Sequence, residues 1–491
     1  MAQSPVQSLL TSLLSSPVDL FYLTGASLLA WIVLTAIQQA WFSPLSDIPG
    51  PRLAAVSRLW LMWQDAFCNG AATQLLMKLH QEYDFYHRIY KVNSDFLKDP
   101  GFYHAFGMRG SLPMELDNDK AQALRKLLNP TLAKPSVDRM AEMVYQKVRQ
   151  FSEITLEKKG SINIRPGFQS LSAGIICVCC FGREFNIITD EDDPAGISQT
   201  TDLVSHHLWK VHYLPFLASH LTNAPNWMKR SLFAGYHNFR EQCVALVQTT
   251  LNAPKDSRRT GIIDTMLDAS QAGTWESPDE EFLTDQIFSL VFAGIDTSSI
   301  TMTSAFYYIL SSPDVLLRLQ DELRGNTPNI EETYDWNKVR QLPYLSAIIK
   351  ETLRISSPAP GRFPRIVPPA GLHHKTSFIP GGTVLSSCIY HIHQNPNLFP
   401  EPEKFQPERW LEQDSIGLEK YLVAFSKGSR SCPGIHLSYL EIYTVLAIFF
   451  SRFDMELLSP SKDEGLAWSD HGVAVFKSPV KVRIVTDHWR K

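Results

Sequence analysis

Apolar positions in this chain fall into three kinds of run, and each predicts a different element. The first is unbroken. From Leu20 to Ile37 no residue is charged, and only Thr, Ser and Gly interrupt the apolar side chains. That length is about the minimum for a helix that crosses a bilayer. Trp31, Trp41 and Phe42 suit its interfacial ends, so an anchor over 20–42 is expected. Residues 1–19 contain no Lys or Arg, whereas Arg52 and Arg58 follow the run. Positive charge on the C-terminal side predicts a lumenal N-terminus and a cytosolic body. A secretory signal fits poorly, because a basic leader and a small-residue cleavage site are both missing. Pro44, Pro49 and Pro51 then make residues 43–52 a stiff hinge that ends the helix.

The second kind of run is periodic. From about Gln64 to Met266 the apolar spacing predicts several amphipathic helices. One spans Asp117 to Leu128, stopped by Asn129-Pro130, and others lie at Ser136–Lys158 and Phe233–Leu251. Leu171–Phe181 is apolar all round and reads as a buried helix. His206–Lys229 is rich in aromatic residues and proline and reads as an aromatic surface loop. Asp279–Leu310 is the longest helical pattern, with acids in its first turn and Pro313 after its end. Gln341–Ile355 is another helix, and Ile435–Phe450 another. The third kind is short. Ile366–Ser387, turning at Pro380-Gly381-Gly382, reads as brief strands. The fold class is therefore mainly α with small β-sheets, and residues 53–491 form one large body.

Composition narrows this picture a little. The chain has 491 residues, 44% of them hydrophobic, enough for a sizeable core. A net charge of −4 gives no reason to expect a nucleic-acid partner. The 7 cysteines form no disulfide or zinc framework and suit a reducing compartment. Cys177, Cys179 and Cys180 read as small core residues of the buried helix.

Candidate chemistry centres on Phe425-Ser426-Lys427-Gly428-Ser429-Arg430-Ser431-Cys432-Pro433-Gly434. A cysteine at a helix N-terminus sits in positive potential, which favours the thiolate. Glycines let the backbone approach a flat group closely. Within the longest helix lies Ala293-Gly294-Ile295-Asp296-Thr297, where a mid-helix glycine invites a local bulge. Glu351 and Arg354 share a helix face at i, i+3, and Arg409 follows in Pro407-Glu408-Arg409-Trp410.

In this order, these motifs resemble the cytochrome P450 family, most closely its filamentous-fungal members that oxidise secondary metabolites. The Cys loop matches at Phe425, Gly428, Arg430, Cys432 and Gly434. The resemblance implies haem with Cys432 as the axial thiolate, which favours O–O cleavage. It implies that Ala293 and Gly294 make room for O2 and that Asp296 and Thr297 deliver protons. It places Arg125, Arg365 and Arg430 at the haem propionates. Glu351, Arg354 and Arg409 become structural residues that lock the Cys loop. It implies a microsomal enzyme of the endoplasmic reticulum that takes electrons from NADPH–cytochrome P450 reductase. One atom of O2 would enter an apolar substrate drawn from lipid, a terpenoid or polyketide intermediate. The aromatic stretch His206–Lys229 would cover the substrate entrance.

Three departures stand against the family pattern. Tyr83 runs straight into Asp84, where a Gly-Pro and a β-hairpin usually lie. Ala121 stands four residues before Arg125, where Trp or His is usual. Pro433 follows the cysteine and removes a backbone donor near the sulfur. Two rival readings remain open: a haem-thiolate isomerase or dehydratase, and a remnant of the family that no longer binds haem.

Overall fold

The computed structural model describes residues 17–46, 48, 51–57, 59–77, 83–108, 110–158, 160–183, 201, 204–205, 234–253, 261–327, 334–412 and 415–490. The expected loop at His206–Lys229 lies outside them. An N-terminal helix, α1 (Pro17–Trp41), carries the apolar run, and none of its residues from Leu20 to Trp41 is buried by the rest of the chain. A free apolar helix of this length is a candidate transmembrane span.

The body is built on α2 (Tyr83–Ile89), α3 (Asn118–Leu132), α4 (Ala141–Glu157), α5 (Ile164–Phe181), α6 (Ala234–Asn252), α7 (Glu280–Leu310), α8 (Pro343–Ser356) and α9 (Ile435–Arg452). The long helix starts where its signals predict: Asp279 caps it, accepting from the Phe282 N–H at 2.7 Å. Phe168 of α5, Phe306 of α7 and Phe449 of α9 interlock edge to face, with ring centroids 5.0 and 5.4 Å apart along the row. These three helices thus share one core. Cys177, Cys179 and Cys180 are buried in it.

Two expectations change. The helix at Asp117 does not stop at Pro130 but runs to Leu132. Proline there removes one bond, to the carbonyl of exposed Lys126 in the last turn, where an unpaired carbonyl costs little. The glycine of α7 makes no bulge: the helix is unbroken α from Glu280 to Leu310.

The strands are short. β1 (Leu97–Lys98), β3 (Arg365–Ile366) and β6 (Val384–Leu385) form one antiparallel sheet in the order β1-β3-β6. Among the described residues no strand precedes β1, and the chain after Tyr83 is helical instead. β2 (Ile162–Asn163), β10 (Lys481–Asp487) and β7 (Phe453–Ser459) form a second sheet. β4 (Leu372–His374) pairs with β5 (Ser377–Ile379), and β8 (Trp468–Asp470) with β9 (Ala474–Phe476).

Candidate active site

The loop before α9 is held from both sides. Gly428 has φ +74°, and a Cβ there would lie 2.4 Å from the carbonyl oxygen of Lys91. Only glycine fits both the left-handed backbone and that close approach. Tyr86 of α2 reaches the same loop, its hydroxyl 3.3 Å from Ser426 Oγ. The Cys432 N–H closes the loop onto the Phe425 carbonyl at 2.9 Å.

At the sulfur, burial pushes the Cys432 thiol up, while the Gly434 N–H and the Arg125 guanidinium pull it down. Desolvation outweighs the helix-terminus effect that the sequence suggests. The donor that Pro433 lacks is supplied one residue later, by Gly434. Arg125 grips the neighbouring residue, donating to Ser431 O at 2.6 Å and to Ser431 Oγ at 3.3 Å.

The other two expected cations lie beside this loop. Arg430 donates to Asn118 Oδ1 at 3.1 Å and to Asp117 O at 2.8 Å, but its buried Nη1 has no partner. Burial and the nearby Arg365 push Arg430 down to about 10. Arg365 is itself buried, and donates to Tyr103 Oη at 2.6 Å and to Pro364 O at 3.0 Å. Among the described residues, none of Arg125, Arg365 and Arg430 forms an ion pair with a carboxylate. Arg365 is buried and Arg125 and Arg430 are half-buried, and guanidiniums withdrawn from water without an anion are costly. A dianionic cofactor with two carboxylates fits this cluster, and haem is such a group.

Along α7, Ala293 and Thr297 share an accessible face, while Asp296 is buried. Thr297 Oγ1 donates to Ala293 O at 2.8 Å. Asp296 points the other way, its Oδ1 accepting from Gln169 at 3.0 Å and Thr201 at 3.0 Å, with Arg165 of α5 at 3.4 Å. The structure therefore sets the two expected proton carriers on different faces. Gly294 also faces α5: a Cβ there would come 3.1 Å from Ile176. Its small size serves helix packing in this structure.

Glu351, Arg354 and Arg409 do meet. Glu351 Oε1 accepts from Arg354 at 2.8 Å and from Arg409 Nε at 3.1 Å, and Oε2 accepts from Trp410 Nε1 at 2.9 Å. Arg354 donates on to His393 O at 2.9 Å. The His393 ring in turn accepts from the Val423 N–H at 3.0 Å, two residues before Phe425. Burial and Arg354 push His393 down to about 3, so the ring stays neutral and keeps an acceptor for Val423. Sequence reasoning quoted Trp410 in its motif without giving it a role, and missed His393, which lies in none of the motifs it used.

The sequence pattern described as Cytochrome P450 matches residues 74–482. The chain is 34% identical to cytochrome P450 monooxygenase aneF of Aspergillus aculeatus, over 94% of this chain and 99% of that protein. It is 35% identical to cytochrome P450 monooxygenase penB of Penicillium thymicola, over 83% of this chain and 93% of that one. Identity to cytochrome P450 monooxygenase cloA of Claviceps purpurea is 31%, over 95% and 96% respectively. This chain belongs to the cytochrome P450 family. The enzyme class that follows is oxidoreductase, and the cofactor general to the family is haem bound through a thiolate.

Proposed function

We propose that the chain is a membrane-anchored haem-thiolate monooxygenase that oxidises an apolar small molecule, a terpenoid or polyketide intermediate of fungal secondary-metabolite biosynthesis. The observation that carries this reading is the loop at Cys432: a cysteine fixed on both flanks, beside a buried Arg365 and half-buried Arg125 and Arg430 whose hydrogen-bond acceptors are all neutral. Bound haem supplies O2 reduction and transfer of one oxygen atom, with electrons from NADPH–cytochrome P450 reductase. The chain's part is to hold and to exclude. Cys432 is the iron ligand, and its sulfur is steadied by the Gly434 N–H. Phe425, Gly428 and Gly434 shape the loop; Arg125, Arg365 and Arg430 hold the carboxylates. Thr297, on the accessible face of α7 with Ala293, passes protons at its hydroxyl; Asp296 restores them only if its carboxylate turns from Gln169 and Thr201 towards that face, and Gly294 packs α7 against Ile176 of α5. Glu351, Arg354 and Arg409 fix the loop from behind. The relatives named above are fungal, which supports the substrate class. The apolar helix α1 supports an endoplasmic-reticulum anchor with residues 1–19 lumenal, 20–42 in the bilayer, a hinge at 43–52 and the body at 53–491 in the cytosol.

Microsomes containing the chain are reduced, exposed to CO and read by difference spectroscopy. A Soret band at the thiolate-ligated position is expected, and Cys432→Ser abolishes it. Protein that accumulates without any haem signal sinks the reading and favours the remnant.

A further inference from the structure

The stretch from Tyr103 to Asn118 is an arch with both feet at the cation cluster. At one foot Tyr103 Oη accepts from Arg365 at 2.6 Å, and at the other Asn118 Oδ1 accepts from Arg430 at 3.1 Å. Its crown lies on α7. There the Gln286 carboxamide grips the backbone with both ends: Nε2 donates to Gly110 O at 2.7 Å, and Oε1 accepts from the Leu112 N–H at 3.1 Å. A carboxamide suits this task because it offers one donor group and one acceptor, as a backbone turn does. Gln286 is 0% exposed, so water cannot stand in for either bond. The turn itself needs glycine, since Gly110 has φ +84°.

Gln286 also stands in line with the chemistry. Ala293 and Thr297 follow it at intervals of 7 and 11 residues, from 293 − 286 and 297 − 286. At 3.6 residues per turn both intervals return to within about 20° of the same side of the helix. The three residues thus form one stripe, which the arch covers at Gln286 and leaves accessible at Ala293 and Thr297. Two other side chains hold the arch by its flanks. Tyr236 of α6 donates to Phe106 O at 3.4 Å, and Lys98, set opposite Arg365 by the β1–β3 register, donates to Pro113 O at 2.5 Å. The half-buried side chains of the arch include Phe106 and Met114, which suit an apolar substrate.

We propose that Gln286 is a positioning residue for the reaction: by pinning the arch to α7 it sets how much room an apolar substrate has at Ala293 and Thr297. This rests on the haem reading above. Two directed bonds fix one register of the arch on the helix, and a fully satisfied buried polar pair is rigid where apolar packing alone would tolerate sliding.

The wild-type CO difference spectrum comes first, and an absent haem signal overturns the haem reading and this inference together. With haem bound, the full chain is titrated with imidazole and with the larger 1-benzylimidazole, both read by the Soret shift as the ring nitrogen binds iron. Wild type is compared with Gln286→Met, which keeps length and loses both bonds, and with Gln286→Glu, which keeps the acceptor for Leu112. In Gln286→Met the ratio of the two dissociation constants is expected to move on the order of fivefold in favour of the larger ligand, about the worth of one neutral hydrogen bond. Gln286→Glu falls between that variant and wild type, and it carries the test alone if the Met variant does not load haem. A ratio that stays at the wild-type value, or moves against the larger ligand, overturns the proposal. So does an equal loss of affinity for both ligands, which marks a residue that only supports the fold.

Discussion

Two clusters of charge flank the Cys432 loop, one buried around Glu351 and one partly buried around Arg365. Around Glu351 the positive groups have their anion: both carboxylate oxygens are used, by Arg354, Arg409 and Trp410, and the spare guanidinium nitrogens end on carbonyls of His393, Pro402, Lys404 and Pro400. Around Arg365 the cations have only neutral acceptors, and one nitrogen of Arg430 has none. A closed network is complete without any visitor, so its work is structural. An open one is complete only when an anion arrives. Motif type alone does not separate the two, since arginines dominate both.

The largest way to break this comparison is Glu351→Gln. It leaves two buried guanidiniums without their anion, which costs about 3–5 kcal/mol. Chemical unfolding should show that loss equally with and without haem, and a haem-dependent loss would contradict a closed network. Arg365→Met sharpens the other side. Haem retention falls on the order of tenfold or more, as for one lost charge-assisted contact, while the haem-free chain is weakened far less than by Glu351→Gln. Unfolding curves of both forms separate these outcomes.

Asp470 is a third case, a buried acid with no full ionic partner. Burial pushes it up to about 7, against the pull of its hydrogen bond from Thr73. A folded-state pKa above the unfolded one gives stability at low pH that is lost as pH rises through about 7. His393, held down to about 3, acts oppositely, losing stability as pH falls below its unfolded value. The Asp470 share is therefore read as a difference: the stability of Asp470→Asn relative to wild type should climb between pH 5 and pH 8, by differential melting. A flat difference would show that the carboxyl is ionised throughout. The smallest effect is at the exposed pair Arg483–Glu456, where Arg483→Met should change stability by less than about 1 kcal/mol. A larger change there would mean that exposure is a poor guide to the worth of charge in this chain.

Much of the frame was legible in the sequence. The ends of α7 follow from Asp279 and from Pro313 beyond Leu310, because caps and proline act locally. Glu351, Arg354 and Arg409 were legible because two share a helix face and the third sits in a distinctive short motif. Lys98 was not: its place opposite Arg365 depends on a two-residue register between strands 267 positions apart, from 365 − 98. The role of Gly294 was hidden for a similar reason, since Ile176 belongs to another helix. The extension of α3 past Pro130 and the Gly434 N–H on the sulfur depend on which backbone groups end up buried, and spacing does not carry that.

Gly428 lies on the carbonyls of Tyr90 and Lys91, and those residues leave the ribosome long before it does. Lys91 and Gly428 are 337 positions apart, from 428 − 91. At ordinary synthesis speeds of about 5–20 residues per second, that is a wait of roughly 20–70 s. The half of the cradle built just after α2 is made early and stands without its counterpart through most of translation. The Cys432 loop can therefore close on that half only late in translation.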